Sequence, residues 1–263
     1  MKIVAPSPSR FRPTSAIDQS ILVENQAFFE KINRRGILRG AASLGALTML
    51  TGCDVTNRDS VQDVLRAMSS WNDRVQAILF DPNKLAPTYS EADVVRPPRF
   101  NAFYPIEDVK PVDRASWRLE LGGLIADKRP WTFSRIAGLS VQSLIIKHIC
   151  VEGWSYIGQW SGPNFRVFLE RIGADISAKY VAFRCADGYT SSIDMASALH
   201  PQTILATQYA GEDLTAPFGA PLRLRTSIKL GFKNPKWITA IEVTNNYPGG
   251  YWEDRGYNWY SGL

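Results

Sequence analysis

One cysteine stands in a segment that carries several groups able to do chemistry, His148-Ile-Cys150-Val-Glu152-Gly-Trp154. A lone cysteine on a buried strand is usually an inert core residue. As a thiolate, however, it is a soft ligand that suits a redox metal. The sequence around Cys150 must therefore decide between an inert residue and a metal ligand.

A second segment, residues 214–241, contains five basic side chains and no acidic one. The basic residues are Arg223, Arg225, Lys229, Lys233 and Lys236. Such a run could be a solvated basic face, a nucleic-acid patch or a socket for one anionic group, to which arginine is suited by its bidentate donors. The chain has a net charge of +5, of which +4 falls within residues 1–52. Because the remaining residues carry only +1, we expect no nucleic-acid partner.

Composition and missing motifs exclude several other functions. The chain has two histidines and three cysteines in 263 residues, which leaves little room for a histidine-rich metal site or a disulfide scaffold. Neither a phosphate-binding loop nor a dinucleotide fingerprint occurs. The segment Gly153-Trp-Ser155-Tyr-Ile-Gly158 is one residue too long for the nucleophile elbow of a serine hydrolase. No haem attachment motif is present.

The elements that must position these groups form a mixture of strands and short helices. Apolar residues recur at helical spacing from Val61 to Leu79, and Asp81-Pro82 ends that helix. We predict further helices at 161–172 and 195–199, and strands at 117–121, 144–151, 180–185, 189–193, 221–224 and 237–244. Strands and helices do not alternate over any long stretch, so we expect an α+β fold with mixed sheets rather than a doubly wound sheet.

The N-terminal segment has the pattern of an export signal. Arg34-Arg35 precedes a short uncharged run that ends at Gly52, and the pair resembles a bacterial twin-arginine signal. The run ends in Leu50-Thr-Gly-Cys53, which is similar to a lipoprotein cleavage box. The resemblance implies a periplasmic protein anchored to the inner membrane by lipid on Cys53.

The segment around Cys150 resembles the sulfite-oxidase-type molybdopterin-binding domain, most closely the catalytic subunits of periplasmic methionine-sulfoxide reductases. Those proteins carry a Cys-Val-Glu-x-Trp-Ser segment whose cysteine binds molybdenum. Three further segments match: Asn101-Ala-Phe103-Tyr104, residues 218–224 with 229–237, and the aromatic residues near Tyr251 and Tyr257. Together they cover most of residues 95–260.

The resemblance implies a molybdenum–molybdopterin cofactor and oxygen-atom transfer. Cys150 would be the metal ligand and the catalytic residue. The residues implied to contact the cofactor or the substrate are Asn101, Phe103, Tyr104, His148, Cys185, Arg223, Lys229, Lys233, Asn234 and Lys236. The implied organisation is a signal segment at 1–52, a helical and proline-rich lead-in at 53–94 and a sulfite-oxidase-like catalytic domain at 95–263.

Several positions depart from the reductase pattern, so the substrate is less sharply defined than the cofactor. Phe183-Arg184-Cys185 stands where the reductases have Phe-Glu-Thr. We expect reduction of a small sulfoxide or related S- or N-oxide, with electrons from a membrane cytochrome or another external carrier, by a monomer. The alternatives are a sulfite-oxidase-like dehydrogenase and a cofactor-free binding lipoprotein with a Cys150–Cys185 disulfide.

Overall fold

A computed structural model describes residues 58–263, with side chains from residue 65 onward. The signal-like segment and Cys53 lie outside these residues. The chain groups into two compact units, 1–63 and 64–263, and the second contains everything described below apart from the first turns of helix α1. Within the described residues, no helix combines the length and the apolar character needed to cross a bilayer.

The elements confirm an α+β architecture with mixed sheets and few helices. The strands are β1 (Arg118–Gly123), β2 (Trp131–Thr132), β3 (Val141–Ile149), β4 (Ser155–Pro163), β5 (Tyr180–Cys185), β6 (Thr190–Asp194), β7 (Thr203–Ala206), β8 (Gln208–Tyr209), β9 (Glu212–Asp213), β10 (Arg223–Thr226) and β11 (Ile238–Thr244). The helices are α1 (Arg58–Leu79), α2 (Phe133–Ala137), α3 (Phe165–Arg171) and α4 (Met195–Ala198).

The strands form three sheets. The five-stranded sheet has the order β2-β1-β11-β5-β6, in which β1 and β11 are parallel and the other pairs antiparallel. The four-stranded sheet has the order β3-β4-β8-β9, and β7 pairs with β10 in a two-stranded ladder. The mixed sheet with short connections agrees with the fold expected from the sequence.

The β7–β10 ladder is shared between two hydrophobic cores. Leu205 and Leu224 belong to the core of the five-stranded sheet and α3, whereas Ile204 and Ala206 belong to the core of β3 and β4. Successive strand side chains point to opposite faces, so one ladder can serve both cores. Gly162 of β4 permits this close packing, because a Cβ there would lie 2.0 Å from the carbonyl oxygen of Leu205.

One boundary prediction was wrong. The segment 161–163, expected to open a helix, is instead the end of strand β4, and α3 begins only at Phe165. Asn164 caps α3 by accepting a hydrogen bond from the Val167 amide through its side chain. The proline at 163 therefore closes a strand rather than filling the first turn of the helix.

Candidate active site

Strand β3 carries His148 and Cys150 to one end of the four-stranded sheet. Leu144, Ile146 and His148 alternate with more exposed neighbours and are buried. Cys150 continues the same alternation directly after the strand and is also buried. Because alternate residues of a strand point to the same face, the imidazole of His148 and the thiol of Cys150 lie on the same face as the buried residues Leu144 and Ile146.

A tight turn fixes the cysteine. The Cys150 carbonyl accepts a hydrogen bond from the Gly153 amide at 3.1 Å, and the Cys150 amide donates to the Trp154 carbonyl at 2.9 Å. Gly153 has a φ of +89°, which glycine adopts without strain. Burial, reinforced by the Glu152 carboxylate, raises the pKa of the Cys150 thiol. The thiolate that a metal requires is therefore favoured only when a cation is bound beside it.

Arg223 and Arg225 lie together on the face of β10 opposite Leu224. Both guanidinium groups lie over the ring of Trp160, at 4.5 and 5.1 Å from its centre. Burial lowers the pKa of Arg223 to about 9 and that of Arg225 to about 10. Among the residues with described side chains, no carboxylate forms an ion pair with either arginine.

The two arginines also keep donors that have no partner. Arg223 Nε and Arg225 Nε and Nη2 are buried without a hydrogen bond. Charged groups are rarely buried unless they are paired, since desolvation is costly. Two adjacent, buried and carboxylate-free guanidinium groups therefore define a site for an anion.

His148 joins this anion site through Arg225, whose Nη1 lies 3.0 Å from His148 Nδ1. Arginine can only donate, so Nδ1 is the acceptor and the proton of the neutral imidazole is on Nε2. Burial and the Arg225 charge hold the pKa of His148 well below its usual value, which keeps the ring neutral. Its Nε2 is buried without a partner and can donate to a ligand. Gly231 packs there so closely that a Cβ would lie 2.7 Å from Nε2.

Asn234 ties the loop that follows β10 to the arginines. Its Oδ1 accepts hydrogen bonds from Arg225 Nη1 at 2.9 Å and from the Thr226 amide at 2.8 Å. Its Nδ2 donates to the Leu230 carbonyl at 3.0 Å. Asn234 thus positions Arg225. Both polar atoms of the Asn234 side chain are hydrogen-bonded to other residues of the protein.

Lys236 and Asn101 meet at the same site. Lys236 Nζ donates to the Asn101 carbonyl at 2.6 Å and lies between the rings of Phe100 and Trp237, at 4.4 and 4.3 Å. Burial, together with the Arg223 charge, lowers the pKa of Lys236 to about 6. The contact brings together two segments that are 135 residues apart in the sequence.

The same burial predicts a pH effect of Lys236→Met in the cofactor-free protein. The pKa of Lys236 is lower in the folded protein than in the unfolded chain. Between about pH 6 and the usual lysine pKa, the unfolded chain therefore binds more protons than the folded protein. The free energy of unfolding consequently rises with pH over this range. We expect Lys236→Met to stabilise the cofactor-free protein near pH 6, by roughly 1 kcal/mol or more, and to flatten this pH dependence. Urea unfolding at several pH values gives the free energy of unfolding of each protein and its pH dependence. Lys110→Met is the control, and an unchanged slope for Lys236→Met would contradict the expectation.

Lys229 and Lys233 occupy a different environment from the arginines. Lys229 Nζ forms an ion pair with Asp194 at 2.9 Å and lies 3.1 Å from the centre of the Tyr260 ring. Lys233, fully buried, forms an ion pair with Glu253, which is also buried. Both ammonium groups are already matched by carboxylates, and their role in holding a cofactor stays a prediction.

A cavity beside Cys150 brings five of the sequence-predicted residues together. They are Asn101, Phe103, Cys150, Asn234 and Lys236. The rest of the lining consists of Ala102, Val151, Glu152, Asp187, Tyr189, Gly231, Phe232, Pro235, Trp237, Trp252 and Tyr257. Aromatic rings and aliphatic groups dominate its wall, and Glu152, Asp187 and Lys236 are its acidic and basic side chains.

Tyr104 and Cys185 lie next to this cavity and do not line it. The Tyr104 hydroxyl donates to Asp187 Oδ2 at 3.0 Å. Cys185 ends β5, is buried, and has a pKa raised well above its usual value by burial and by Asp187. Cys150 and Cys185 are both free thiols, so the disulfide of the binding-lipoprotein alternative is not formed. No cluster of three or more His, Cys, Asp or Glu side chains able to hold a metal occurs among the described residues.

The fold and this site define a class. A family model described as the oxidoreductase molybdopterin binding domain matches residues 106–252. The chain belongs to this family and is an oxidoreductase. The resemblance stated from the Cys150 segment is thereby confirmed.

The chain is similar to several individual proteins. It is 50% identical over 259 residues to the putative protein-methionine-sulfoxide reductase subunit YedZ1 of Azospira oryzae, an alignment that covers 97% of this chain and 99% of the relative. It is 31% identical over 181 residues to the protein-methionine-sulfoxide reductase catalytic subunit MsrP of Xanthomonas axonopodis, covering 59% of this chain and 56% of the relative. The crystal structure of the sulfane dehydrogenase SoxCD from Paracoccus pantotrophus matches with a TM-score of 0.49 and 18% identity, over 52% of this chain and 40% of that one.

The residues present fit an anionic molybdopterin. The orphaned donors of Arg223 and Arg225 suit a phosphate, and the unpartnered His148 Nε2 can donate to a polar edge of the ligand. Cys150 lies in the adjoining cavity, where its sulfur can complete the coordination of a soft metal.

Arg225 was counted among the basic residues of 214–241 but was not included among the residues implied to contact the cofactor. Its signal was available, since Arg223-Leu-Arg225-Thr alternates as a strand and places both arginines on one face. Gly231 was also not predicted as a site residue, and nothing in the local sequence indicates that it packs against His148.

Proposed function

We propose that this protein is an exported molybdenum–molybdopterin reductase of sulfoxides, with methionine sulfoxide as its substrate class. The observation that carries the proposal is the buried pair Arg223 and Arg225, which has no carboxylate partner and which contacts His148, two residues before Cys150, through Arg225. The names of the Azospira and Xanthomonas relatives, both methionine-sulfoxide reductase subunits, support the substrate class.

When bound, the cofactor would supply a metal that accepts the sulfoxide oxygen and passes two electrons to the sulfur. The net reaction consumes two electrons and two protons and releases a thioether and water. Cys150 would be the protein's ligand to the metal. Arg223, Arg225 and Lys236 would hold the anionic parts of the cofactor, and His148 Nε2 would donate a hydrogen bond to it.

The charge of the cavity favours a neutral substrate over sulfite. Glu152 and Asp187 contribute two carboxylates to its described lining, and burial lowers the pKa of Lys236, the one lysine there, to about 6. A sulfite dianion would be repelled by this excess of negative charge, whereas a neutral sulfoxide would not. Phe103, Trp252 and Tyr257 offer apolar surface to the alkyl groups of the substrate.

We also propose a cellular setting for the enzyme. The twin-arginine-like pair and the cleavage-box pattern at Cys53 support export and attachment to the inner membrane through lipid. Electrons would then come from a membrane partner such as a quinol-linked cytochrome, and the subunit names of the relatives are in keeping with such a partner. We propose that the catalytic chain itself is a monomer.

The test is to purify the exported chain from cells with an intact cofactor supply and to measure molybdenum, pterin and activity together. With a reduced viologen as donor, we expect one molybdenum per chain and turnover of dialkyl sulfoxides and of methionine sulfoxide in peptides. Sulfite oxidation is measured in parallel. Folded protein without molybdenum would overturn the proposed cofactor assignment. Faster turnover of sulfite than of sulfoxides would overturn the proposed direction of the reaction.

Arg225→Met tests the anion site separately from turnover. We expect the pterin and molybdenum content of the variant to fall by about tenfold or more, because each lost hydrogen bond from a charged donor costs about 1.5–3 kcal/mol. Arg225→Lys should recover part of the loss, since it restores the charge but not the fork of donors. The control is Arg184→Met, an exposed arginine on β5. Equal cofactor content in all four proteins would show that Arg225 does not hold the cofactor.

A further inference from the structure

Helix α1 is attached to the folded unit by its polar side. Asp73 Oδ1 accepts a hydrogen bond from the Tyr260 amide at 2.6 Å, and Gln76 Oε1 accepts one from the Gly262 amide at 2.9 Å. The Ser69 carbonyl accepts a third, from Asn258 Nδ2 at 3.4 Å. Positions 69, 73 and 76 follow one helical stripe, so the side of α1 that faces the protein is fixed.

Apolar side chains of α1 face solvent on the side turned away from these hydrogen bonds. We call this side the outer face and define it by Met68, Trp71, Ile78 and Leu79, which are between 40% and 77% exposed. A surface helix normally buries its apolar stripe and turns its polar side to water. In α1 the arrangement is reversed, and a continuous exposed apolar stripe of this kind marks an interaction surface.

We propose that the outer face of α1 lies on the surface of a phospholipid bilayer. Cys53, the proposed lipid attachment point, precedes the helix by five residues, so an extended connection reaches at most about 18 Å. The face combines aliphatic side chains with one tryptophan, and the exposed Arg74 stands at its border. Apolar residues with a tryptophan on one side and basic residues at the margin are typical of helices that lie in the membrane interface.

A protein partner fits the outer face less well than a bilayer does. A standard protein interface takes about 800 Å² from each partner and centres on a packed, desolvated cluster. Four partly exposed side chains on one helix form no such cluster or pocket. The inference rests on the proposed export to a membrane-bounded compartment but not on the cofactor or on turnover.

The test uses the purified full-length holoenzyme carrying Cys53→Ala, so that no lipid is attached. Binding to vesicles of phosphatidylethanolamine and phosphatidylglycerol is measured by co-sedimentation, and the oligomeric state by analytical ultracentrifugation. Met68→Glu and Trp71→Glu are introduced singly into this background. Val167→Glu is the matched control, since Val167 is an equally exposed apolar residue on α3. Molybdenum content and viologen-dependent activity are measured on each preparation.

We expect the Cys53→Ala protein to bind vesicles, the two α1 variants to bind at least about tenfold more weakly, and Val167→Glu to bind like its parent. Unchanged molybdenum and activity would show that the fold is intact. The proposal is overturned if the parent does not bind, if the α1 variants bind as well as Val167→Glu, or if the parent is a dimer that these variants dissociate. Loss of molybdenum in the parent itself would count against the proposed function and leave the vesicle result interpretable.

Discussion

Cys150→Ser is expected to reduce sulfoxide reduction by on the order of a thousandfold, well beyond the 10–100-fold that changes around a metal ligand cost. Serine is nearly isosteric with cysteine but offers a hard oxygen in place of the soft sulfur that suits the metal. Because Cys150 is buried in a turn held by backbone hydrogen bonds, the fold should be kept. The measurement is turnover with reduced viologen, together with molybdenum content and thermal unfolding.

Cys185→Ser is the matched change for this experiment. Cys185 is also a buried thiol, but it ends β5 outside the lining of the cavity. We expect this variant to keep its molybdenum and at least about a tenth of its activity, as befits a residue near the ligand set rather than in it. If both serine variants lost activity equally, or if Cys150→Ser stayed active, Cys150 would not be the protein's ligand to the metal.

The second large effect is expected at the buried ion pair of Lys233 with Glu253. Lys233→Met leaves the Glu253 carboxylate buried without its cation, and breaking a buried pair in this way costs about 3–5 kcal/mol. Replacing both residues by methionine removes the stranded charge and should recover most of the loss. Urea unfolding of the cofactor-free protein gives the free energies of the wild type and of both variants.

An exposed ion pair provides the comparison. Arg166 and Glu170 pair on the surface of α3 with about half of each side chain exposed, so Arg166→Met should cost under about 1 kcal/mol. A loss as small as this in Lys233→Met would mean that the buried pair contributes little. Lys233 would then be available for the cofactor, as the sequence-based prediction has it.

The sequence predicted the elements whose signals are local. The hairpin of β5 and β6 follows from apolar alternation on both sides of Asp187-Gly188, and α1 follows from helical spacing ended by Asp81-Pro82. The four-residue strand β7 has no turn signal of its own, and its pairing with β10 is a tertiary event. Strand β4 was partly mistaken for a helix because Ser161-Gly-Pro163 is also a common helix start.

The site was predictable in its chemistry but not in its assignments. The Cys150 segment identified the family, and the basic residues of 214–241 pointed to an anion. Sequence alone could not distinguish Arg225, which lacks an acidic partner, from Lys233, which has one, because Glu253 lies 20 residues further along the chain. The outward direction of the apolar side of α1 likewise depends on hydrogen bonds to the distant residues 258–262.

The ladder of β7 and β10 has a consequence for the stability of the protein with and without its cofactor. Leu205 and Leu224 belong to one core, while Arg223 and Arg225 lie over Trp160 of the other. Repulsion between two desolvated cations weakens the empty protein at the very ladder that both cores share, and an anion bound there removes that repulsion. A chain that has received its cofactor would thus resist proteolysis and thermal unfolding better than an empty one. The cofactor would then act as a ligand that stabilises the folded state by binding to it and not to the unfolded chain.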